Sequence, residues 1–276
     1  RASFDQIKSS KKIDFADFIY INELKKRTNV SLAGRELYIG CNNKKIVNIL
    51  SEVLREKGAE ISPKSKKGIP HFYINNNGTW LSCKDEDLKS YSVDFTGALT
   101  LLASIISAKP KKISYFYNKP TAFDNICNAF GVEYKKILSS PANESDKEAR
   151  KLLYSEPAMY DALFAVVRIM SAIVLENTTL KGLSERLPKF FVKSAEVWIP
   201  ANRKSYVMRK LQSRLNDGYE LQEGVRFKQK DAGVLLVPKK KGGFNLMVEA
   251  MSSETAEEIC NFYKREIYRL ADNAEV

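Results

Sequence analysis

Short apolar strands alternate with amphipathic helices in the first half of this chain, and this alternation constrains the fold more than any other feature. Residues 36–40 have the pattern of a buried strand, residues 45–57 carry a helical stripe of apolar side chains, and residues 59–61 begin another extended segment. Gly58, a natural helix stop signal, follows the helix. This order is typical of a parallel α/β layer, because parallel strands need a long crossover between them.

A second unit repeats the same order further along the chain. Residues 112–117 predict a strand, which a helix over residues 121–130 would join to a returning strand at residues 132–138. Thr121 is a suitable N-cap for this helix, and Gly131 is a suitable stop. The repeat indicates two related α/β units.

Two further helices are predicted around this second unit. Asp94 is expected to cap a helix over residues 94–107. Residues 139–151 are polar and predict a loop, which leads to a long helix over residues 159–176.

The chain from residue 196 onward is richer in strands. Residues 223–228, 233–238 and 244–249 have strand patterns, and helical patterns flank them at residues 204–215 and 253–271. Helix, three strands and helix predict a small α+β domain with an antiparallel sheet.

The length of 276 residues is more than one hydrophobic core usually holds. We therefore predict an α/β protein with three domains: two α/β domains with mixed sheets at residues 12–89 and 90–195, then a smaller α+β C-terminal domain at residues 196–276. The chain opens with Arg1 rather than Met, so we expect it to be a fragment of a longer protein.

The charge balance indicates an anionic partner. Lys and Arg number 45 against 33 Asp and Glu, which gives a net charge of +12. Nucleic-acid-binding proteins have such a balance, but here the basic residues are scattered as short pairs and triples, without an aromatic-interleaved RNA-binding signature or zinc-finger spacing. A general preference for anions is the favoured interpretation, ahead of nucleic acid as the partner.

Cysteine and histidine usage narrows the compartment and the chemistry. Cys41, Cys83, Cys127 and Cys260 are widely spaced, which predicts reduced, buried thiols in a cytoplasmic protein. His71 is the only histidine and lies in a strand pattern, so a structural role is favoured over a catalytic one. No apolar run reaches the roughly 18–20 residues of a membrane span, and we expect no membrane partner.

Several motifs resemble the α-D-phosphohexomutases, the phosphoglucomutase and phosphomannomutase family. Gly34-Arg-Glu-Leu-Tyr-Ile-Gly-Cys-Asn-Asn43 and Leu54-Arg-Glu-Lys-Gly-Ala-Glu60 are similar to the opening of the second family domain. Glu223-Gly-Val-Arg-Phe227, Gly233-Val-Leu-Leu-Val-Pro238 and Met247-Val-Glu-Ala250 are similar to the fourth. The phrase Lys204-Ser-Tyr-Val-Met-Arg-Lys-Leu211 is most similar to the degenerate mutase-like region of bacterial mannose-1-phosphate guanylyltransferase fusions.

The resemblance implies that the catalytic machinery is incomplete. The phosphoserine loop of the family belongs to its first domain, which is not expected in this chain because nothing before residue 12 matches it. The family's metal loop, Asp-Gly-Asp-x-Asp-Arg, matches a stretch in which Asn75, Asn76 and Asn77 precede Gly78. Magnesium usually needs at least one or two carboxylates. We therefore predict a tight turn here, with no metal, no catalytic residue and no cofactor.

A sugar-binding loop is implied at Ser155 and Glu156. The family motif Gly-Glu-x-Ser-Gly-His aligns with Tyr154-Ser-Glu-Pro-Ala-Met-Tyr160, in which Glu156 alone is kept. A glutamate can accept hydrogen bonds from sugar hydroxyls. The alternative is that Ser155 and Glu156 begin the long helix, with Pro157 in its first turn.

A phosphate-binding loop is implied at Lys239, Lys240, Lys241, Gly242 and Gly243. The family sequence Arg-Pro-Ser-Gly-Thr-Glu has lost its hydroxyls here, but lysines supply positive charge and glycines let backbone N–H groups approach an anion. A solvated hairpin turn is an equally favoured alternative.

Three functions follow as hypotheses. The first is a catalytically inactive mutase-like module that binds a phosphosugar or another small anion weakly, or regulates an upstream nucleotidyltransferase domain of the same chain. The second is an active phosphohexomutase whose phosphoserine domain lies upstream. The third is a basic module that binds nucleic acid.

Overall fold

The computed structural model describes residues 15–138, 147–215 and 219–273. Within these ranges the helices are α1 (Ala16–Arg27), α2 (Lys44–Glu56), α3 (Val93–Ala108), α4 (Ala122–Ala129), α5 (Lys147–Ser155), α6 (Ala162–Leu175), α7 (Leu180–Ser184), α8 (Lys204–Gln212) and α9 (Ser253–Asp272). The strands are β1 (Glu36–Gly40), β2 (Glu60–Ser62), β3 (His71–Ile74), β4 (Leu81–Lys84), β5 (Ser90–Tyr91), β6 (Lys112–Phe116), β7 (Glu133–Ile137), β8 (Phe191–Val197), β9 (Glu220–Leu221), β10 (Val225–Gln229), β11 (Ala232–Pro238) and β12 (Phe244–Ala250).

The first sheet is mixed and has the strand order β2-β1-β3-β4-β5. β1 is parallel to both β2 and β3, and the crossover from β1 to β2 is α2. β3, β4 and β5 are antiparallel, because short turns connect them.

The second sheet contains two described strands, β6 and β7, which are parallel and joined by α4. The mixed strand directions expected of this unit are therefore found only in the first sheet, as far as the described residues show. The third sheet is antiparallel, in the order β8-β12-β11-β10-β9.

Two large apolar cores hold these layers together. The first includes buried residues from Leu24 to Phe190, and the second those from Val197 to Ala271. α3 and α6 lie at the centre of the first core, where every residue from Ala162 to Ile173 is buried. Helices buried over most of their surface need no polar face, which is why most residues of these two helices are apolar; the buried Arg168 of α6 is an exception.

The predicted fold class is confirmed: α/β layers with several sheets are followed by a smaller unit of antiparallel strands and helices. The three-domain division stays a prediction. β8 extends across its boundary between residues 195 and 196, because Phe191 to Val197 pair continuously with β12. Residues 12–14, 139–146, 216–218 and 274–276 of the predicted domains lie outside the described residues.

Several local predictions need correction. Part of the predicted loop at residues 139–151 is helical, because α5 begins at Lys147. Ser92, not Asp94, is the N-cap of α3, since its side chain accepts a hydrogen bond from the Phe95 amide. The long helix begins at Ala162 rather than at residue 159, and Asp161 caps it.

Among the helices of the described ranges, none is both long enough and apolar enough to cross a membrane.

We predict that His71 makes stability depend on pH. This side chain is fully buried, Nε2 accepts a hydrogen bond from the Lys66 amide, and Nδ1 has no partner among the described residues. Burial lowers the pKa of His71, and the charge of Lys84 adds to this effect. Protons therefore bind the unfolded chain more readily, so stability should decrease as pH falls below about 6.5, the pKa of an unperturbed histidine.

Urea unfolding between about pH 5 and 8, where histidine is the side chain that ordinarily titrates, measures this dependence. A His71→Phe variant should show a flatter dependence, because the chain has a single histidine. Equal slopes in the two proteins would contradict the prediction.

Candidate functional site

The turn between β3 and β4 is built largely by one side chain. Asn75 Oδ1 accepts hydrogen bonds from the backbone amides of Thr79 and Trp80, at 2.9 and 3.0 Å. The Gly78 amide donates to the Asn75 carbonyl, and Gly78 has a positive φ of 71°, a conformation that favours glycine. The Gly78 carbonyl accepts from the Ala162 amide at 2.8 Å, which ties the turn to the start of α6. The tight turn expected from the sequence is therefore present.

The residues of this turn do not fit magnesium. Asn75, Asn76 and Asn77 offer neutral amides where a hard cation prefers carboxylates, and the Asn75 amide oxygen is already used by two backbone donors. In the described ranges, no three His, Cys, Asp or Glu residues are grouped closely enough to hold a metal ion. We assign no metal to the turn.

A cleft of about 730 Å³ opens beside the turn. Trp80 comes from the turn itself, Asp94 from the first turn of α3, and Lys119 from the loop between β6 and α4. Tyr160 and Asp161, immediately before α6, also line the cleft, as does the polar side chain of Asn118. Lys119 is the only Lys or Arg among the described residues that line this cleft.

Lys119 and Asp94 influence each other across the cleft. Both side chains are half-buried. Burial lowers the pKa of Lys119, and the negative charge of Asp94 partly opposes this decrease. Burial raises the pKa of Asp94, and the positive charge of Lys119 partly opposes this increase. Lys119 Nζ lies 5.9 Å from the centre of the Phe123 ring, and it forms no ion pair within the described part of the chain. A partly desolvated ammonium without a carboxylate partner can bind an anion.

Asp161 has a structural role at the inner end of the cleft. Its carboxylate accepts hydrogen bonds from the amides of Leu163 and Phe164 and from the hydroxyl of Tyr20, at 2.9, 3.3 and 2.9 Å. Burial raises the pKa of Asp161, and these hydrogen bonds oppose that effect. The carboxylate therefore caps α6 and fixes the position of its first turn.

Trp80 offers an apolar surface at the mouth of the cleft. Its side chain is 63% exposed, which is unusual for a large aromatic residue in a turn. An exposed indole face beside hydrogen-bonding groups suits a ligand with both apolar and polar surfaces, as a sugar ring has.

Glu156 lies in the protein interior instead of facing the cleft. Its two carboxylate oxygens accept hydrogen bonds from Arg168 at 3.0 and 2.9 Å, and both side chains are buried. Ser104 also donates to Glu156, at 3.4 Å. A sugar could reach this carboxylate only if the ion pair opened. The sugar-binding assignment of Glu156 stays a prediction, and this geometry disfavours it.

Ser155 is the last residue of α5, and its hydroxyl donates to the Leu152 carbonyl at 2.7 Å. The alternative prediction, in which Ser155 and Glu156 begin the long helix, is wrong because a 3₁₀ turn at Pro157–Met159 separates them from α6.

Residues 239–243, the lysine turn, connect β11 and β12. A hydrogen bond from the Lys239 amide to the Gly243 carbonyl closes this turn, at 3.0 Å. Lys239 forms an ion pair with Glu196, and Lys204 donates to the Lys239 carbonyl. Lys240 and Lys241 are exposed. The phosphate-binding assignment of these lysines stays a prediction, and Lys240 and Lys241 are the two without such partners.

The two glycines of this turn pack closely against the end of β8. Both are buried, and a Cβ atom on Gly243 would lie 2.0 Å from the Val197 carbonyl oxygen. A Cβ on Gly242 would lie 2.9 Å from the Ile199 carbonyl oxygen. The absence of side chains at these glycines therefore allows the turn to contact the backbone at the end of β8. Because both glycines are buried, they are not exposed to an anion in solution.

The structure brings some of the predicted loops together and leaves others apart. The Asn turn, which comprises residues 75–80, and the segment that follows Glu156 both border the cleft. The lysine turn is not among the residues that line it. Sequence analysis missed Lys119 and Asp94. One signal could have found Lys119: it follows the carboxyl end of a parallel strand, where open α/β sheets commonly bind ligands.

Comparisons with known proteins give relatives in fold. No protein-family model and no curated protein sequence matches the chain. Among solved structures, a phosphoglucomutase/phosphomannomutase family protein from Burkholderia thailandensis is similar, with a TM-score of 0.68 and 15% identity over 96% of this chain and 66% of that one. A putative phosphomannomutase from Thermus thermophilus has a TM-score of 0.63 and 11% identity, over 94% of this chain and 67% of that one.

An N-acetylphosphoglucosamine mutase from Aspergillus fumigatus, solved with GlcNAc-6P and magnesium, has a TM-score of 0.55 and 12% identity, over 90% of this chain and 68% of that one. This chain has a phosphohexomutase fold. It spans about two thirds of the length of these structures.

We predict that Glu156 contributes to stability through Arg168. Glu156→Ala should lower the free energy of unfolding by about 3–5 kcal/mol, because it leaves a buried guanidinium without its counter-charge. Ser155→Ala removes one exposed hydrogen bond and should cost less than about 1 kcal/mol. Chemical unfolding of both variants checks these values, and wild-type stability of Glu156→Ala would refute the structural role. A Glu156→Leu, Arg168→Met double variant should recover most of the loss.

Proposed function

We propose that this chain is a phosphohexomutase-like module that binds a phosphosugar in the cleft beside Lys119 and does not transfer phosphate by itself. The observation that carries this proposal is an ammonium group with no ion-pair partner in the described residues, placed in a cleft of about 730 Å³ opposite a carboxylate. Solved proteins of the same fold contain GlcNAc-6P or glucose 1,6-bisphosphate, which makes a phosphosugar the first ligand to test.

The proposed contacts follow from the chemistry of the lining residues. The phosphate group would pair with Lys119, and partial burial strengthens this attraction relative to an exposed lysine. Asp94 can accept hydrogen bonds from sugar hydroxyls, and the exposed face of Trp80 can contact the apolar side of the ring. Two carboxylates and a single cation line the cleft, so we expect a weak affinity, of the order of millimolar.

Several features argue against phosphoryl transfer by this chain. That reaction needs positive groups positioned around the transferring phosphate, and Lys119 is the only basic side chain among the described lining residues. The Asn turn lacks carboxylates that would hold magnesium. An active mutase completed by an upstream phosphoserine domain would still share this deficit, and it remains the first alternative.

The cellular context is also part of the proposal. The phrase at residues 204–211 resembles mutase-like regions fused to a guanylyltransferase, so the module could regulate an upstream nucleotidyltransferase domain by binding its sugar phosphate. Its four cysteines are free thiols, which suits a cytoplasmic protein. The basic nucleic-acid-binding module remains a second alternative, which salt-dependent binding to DNA or RNA would favour.

We predict that Lys119 determines phosphosugar affinity. Calorimetric or NMR titrations with glucose 1-phosphate, mannose 1-phosphate and GlcNAc 6-phosphate should give at least about tenfold weaker binding in Lys119→Met, a loss of about 1.4 kcal/mol. Methionine keeps an unbranched side chain of similar length and removes the charge, together with the contact between the ammonium and the Phe123 ring. Lys64→Ala, at an exposed lysine after β2, is the matched control and should bind like the wild type.

A triple Lys239→Ala, Lys240→Ala, Lys241→Ala variant separates the two phosphate sites. If its affinity falls while Lys119→Met binds normally, the phosphate is bound by the lysine turn and the cleft proposal is wrong. If neither variant differs from the wild type, both assignments fail.

We also predict no mutase turnover by this chain. Interconversion of the 1- and 6-phosphates of mannose and glucose would be assayed with magnesium and a bisphosphate primer. The expected rate is that of the protein-free control, because the cleft lacks the charges that stabilise the transition state. Turnover that co-purifies with the protein and is lost in Lys119→Met would show an active enzyme.

A further inference from the structure

The C-terminal sheet contacts the unit formed by β6, α4 and β7 through Glu249. This residue lies near the end of β12, and its carboxylate accepts hydrogen bonds from the backbone amides of Thr121 and Ala122, at 2.6 and 2.9 Å. These amides are at the N-terminus of α4, where the Thr121 side chain makes no capping hydrogen bond. A carboxylate from another sheet thus caps the helix that follows Lys119.

Arg226, on β10, contacts the other side of the same loop. Its NH2 group donates to the carbonyls of Tyr117 and Lys119, at 2.5 and 2.8 Å, and its NH1 group donates to the Thr121 hydroxyl at 3.3 Å. The guanidinium carbon lies 5.1 Å from the centre of the Tyr117 ring. Arg226 is only 9% exposed, so these contacts are largely shielded from water.

The strand register places both residues on one face of the sheet. Arg226 is paired with Leu235, which is paired with Met247, and Glu249 lies two residues beyond Met247. The opposite face carries the apolar core that α8 and α9 cover. Gly233, the partner of Glu249, lies beside the helix end: a Cβ at this position would be in ordinary van der Waals contact with the Thr121 hydroxyl, at 3.6 Å.

We propose that Arg226 and Glu249 are positioning residues through which the C-terminal sheet holds the loop of residues 117–121, and with it Lys119, in the cleft. The inference rests on the proposed function for the identity of the ligand. The charge-assisted hydrogen bonds fix the backbone on both sides of Lys119, and their two charges are supplied from one rigid surface. The planar guanidinium donates to the two carbonyls from one nitrogen and to the hydroxyl from another, an arrangement that the single ammonium nitrogen of a lysine does not reproduce.

The test compares Glu249→Gln and Arg226→Lys with Glu258→Gln, an exposed position on α9 with the same change of charge. Three quantities are measured: the pKa of the Lys119 ammonium by NMR on the ligand-free proteins, the hydrogen exchange of the Thr121 and Ala122 amides, and the affinity for glucose 1-phosphate. Glu249→Gln keeps the size of the side chain, so it stays informative if Arg226→Lys is poorly folded.

In both variants we expect the Lys119 pKa to rise towards that of a solvated lysine, because a loosened loop exposes the ammonium to water. The two amides should exchange at least about tenfold faster, and the affinity should fall by about the same factor. Glu258→Gln should match the wild type in all three measurements.

An unchanged Lys119 pKa together with unchanged amide exchange in a folded Glu249→Gln protein would overturn the positioning role. If the wild type binds none of the phosphosugars, the proposed function fails separately, since the pKa and exchange measurements need no ligand. If the affinity falls equally in Glu258→Gln, the loss does not depend on the contacts with the loop and the proposal is also overturned.

Discussion

The packing of α3 against α6 is the interaction on which the rest of the structure depends. The two helices are buried over most of their lengths and join the first sheet to the parallel strand pair in one apolar core. The buried pair of Glu156 and Arg168 lies in the same region and is bonded to Ser104 of α3. Because both helices begin at the cleft, their first residues place Asp94 and Asp161 on its lining. The position of the cleft therefore follows from the packing of the core.

The cleft combines a phosphohexomutase fold with an altered set of charges. The turn that borders it is neutral, and its amide oxygen satisfies backbone donors within the turn. The charged side chains that line it are Lys119, whose pKa burial lowers, and Asp94 and Asp161, whose pKa values burial raises. The proposed recognition of an anion and of hydroxyl groups depends on these three residues. The backbone around Lys119 is bonded to the C-terminal sheet, so the cleft and that sheet are mechanically connected.

The predictions from sequence were correct where the structure depends on residues close together in the chain. The strands at β1, β6 and β11 and the helix α2 were found because hydrophobic period and stop signals are local. α5 was not predicted, because most of its residues are polar and its apolar contact with β6 and β7 is small. Asp94 was wrongly chosen as the cap of α3, because Ser92, two positions earlier, is a residue of similar capping strength and only the backbone geometry distinguishes the two. The Asn turn was predicted because Asn and Gly specify such turns by themselves.

The sequence by itself determined the order of most elements, the antiparallel direction of three of the five strands of the C-terminal sheet, the tight Asn turn and the absence of carboxylates from that turn. Only the tertiary structure decided which polar groups are available to a ligand. Glu156 is removed from the cleft by Arg168, the two glycines of the lysine turn are covered by β8, and Lys119 faces the cleft without a counter-ion in the described residues. The physical reason is that periodicity and turn chemistry act between near neighbours in the chain. Burial and charge pairing depend on residues far apart in sequence, such as Glu249 and Thr121, which meet only when the chain has folded.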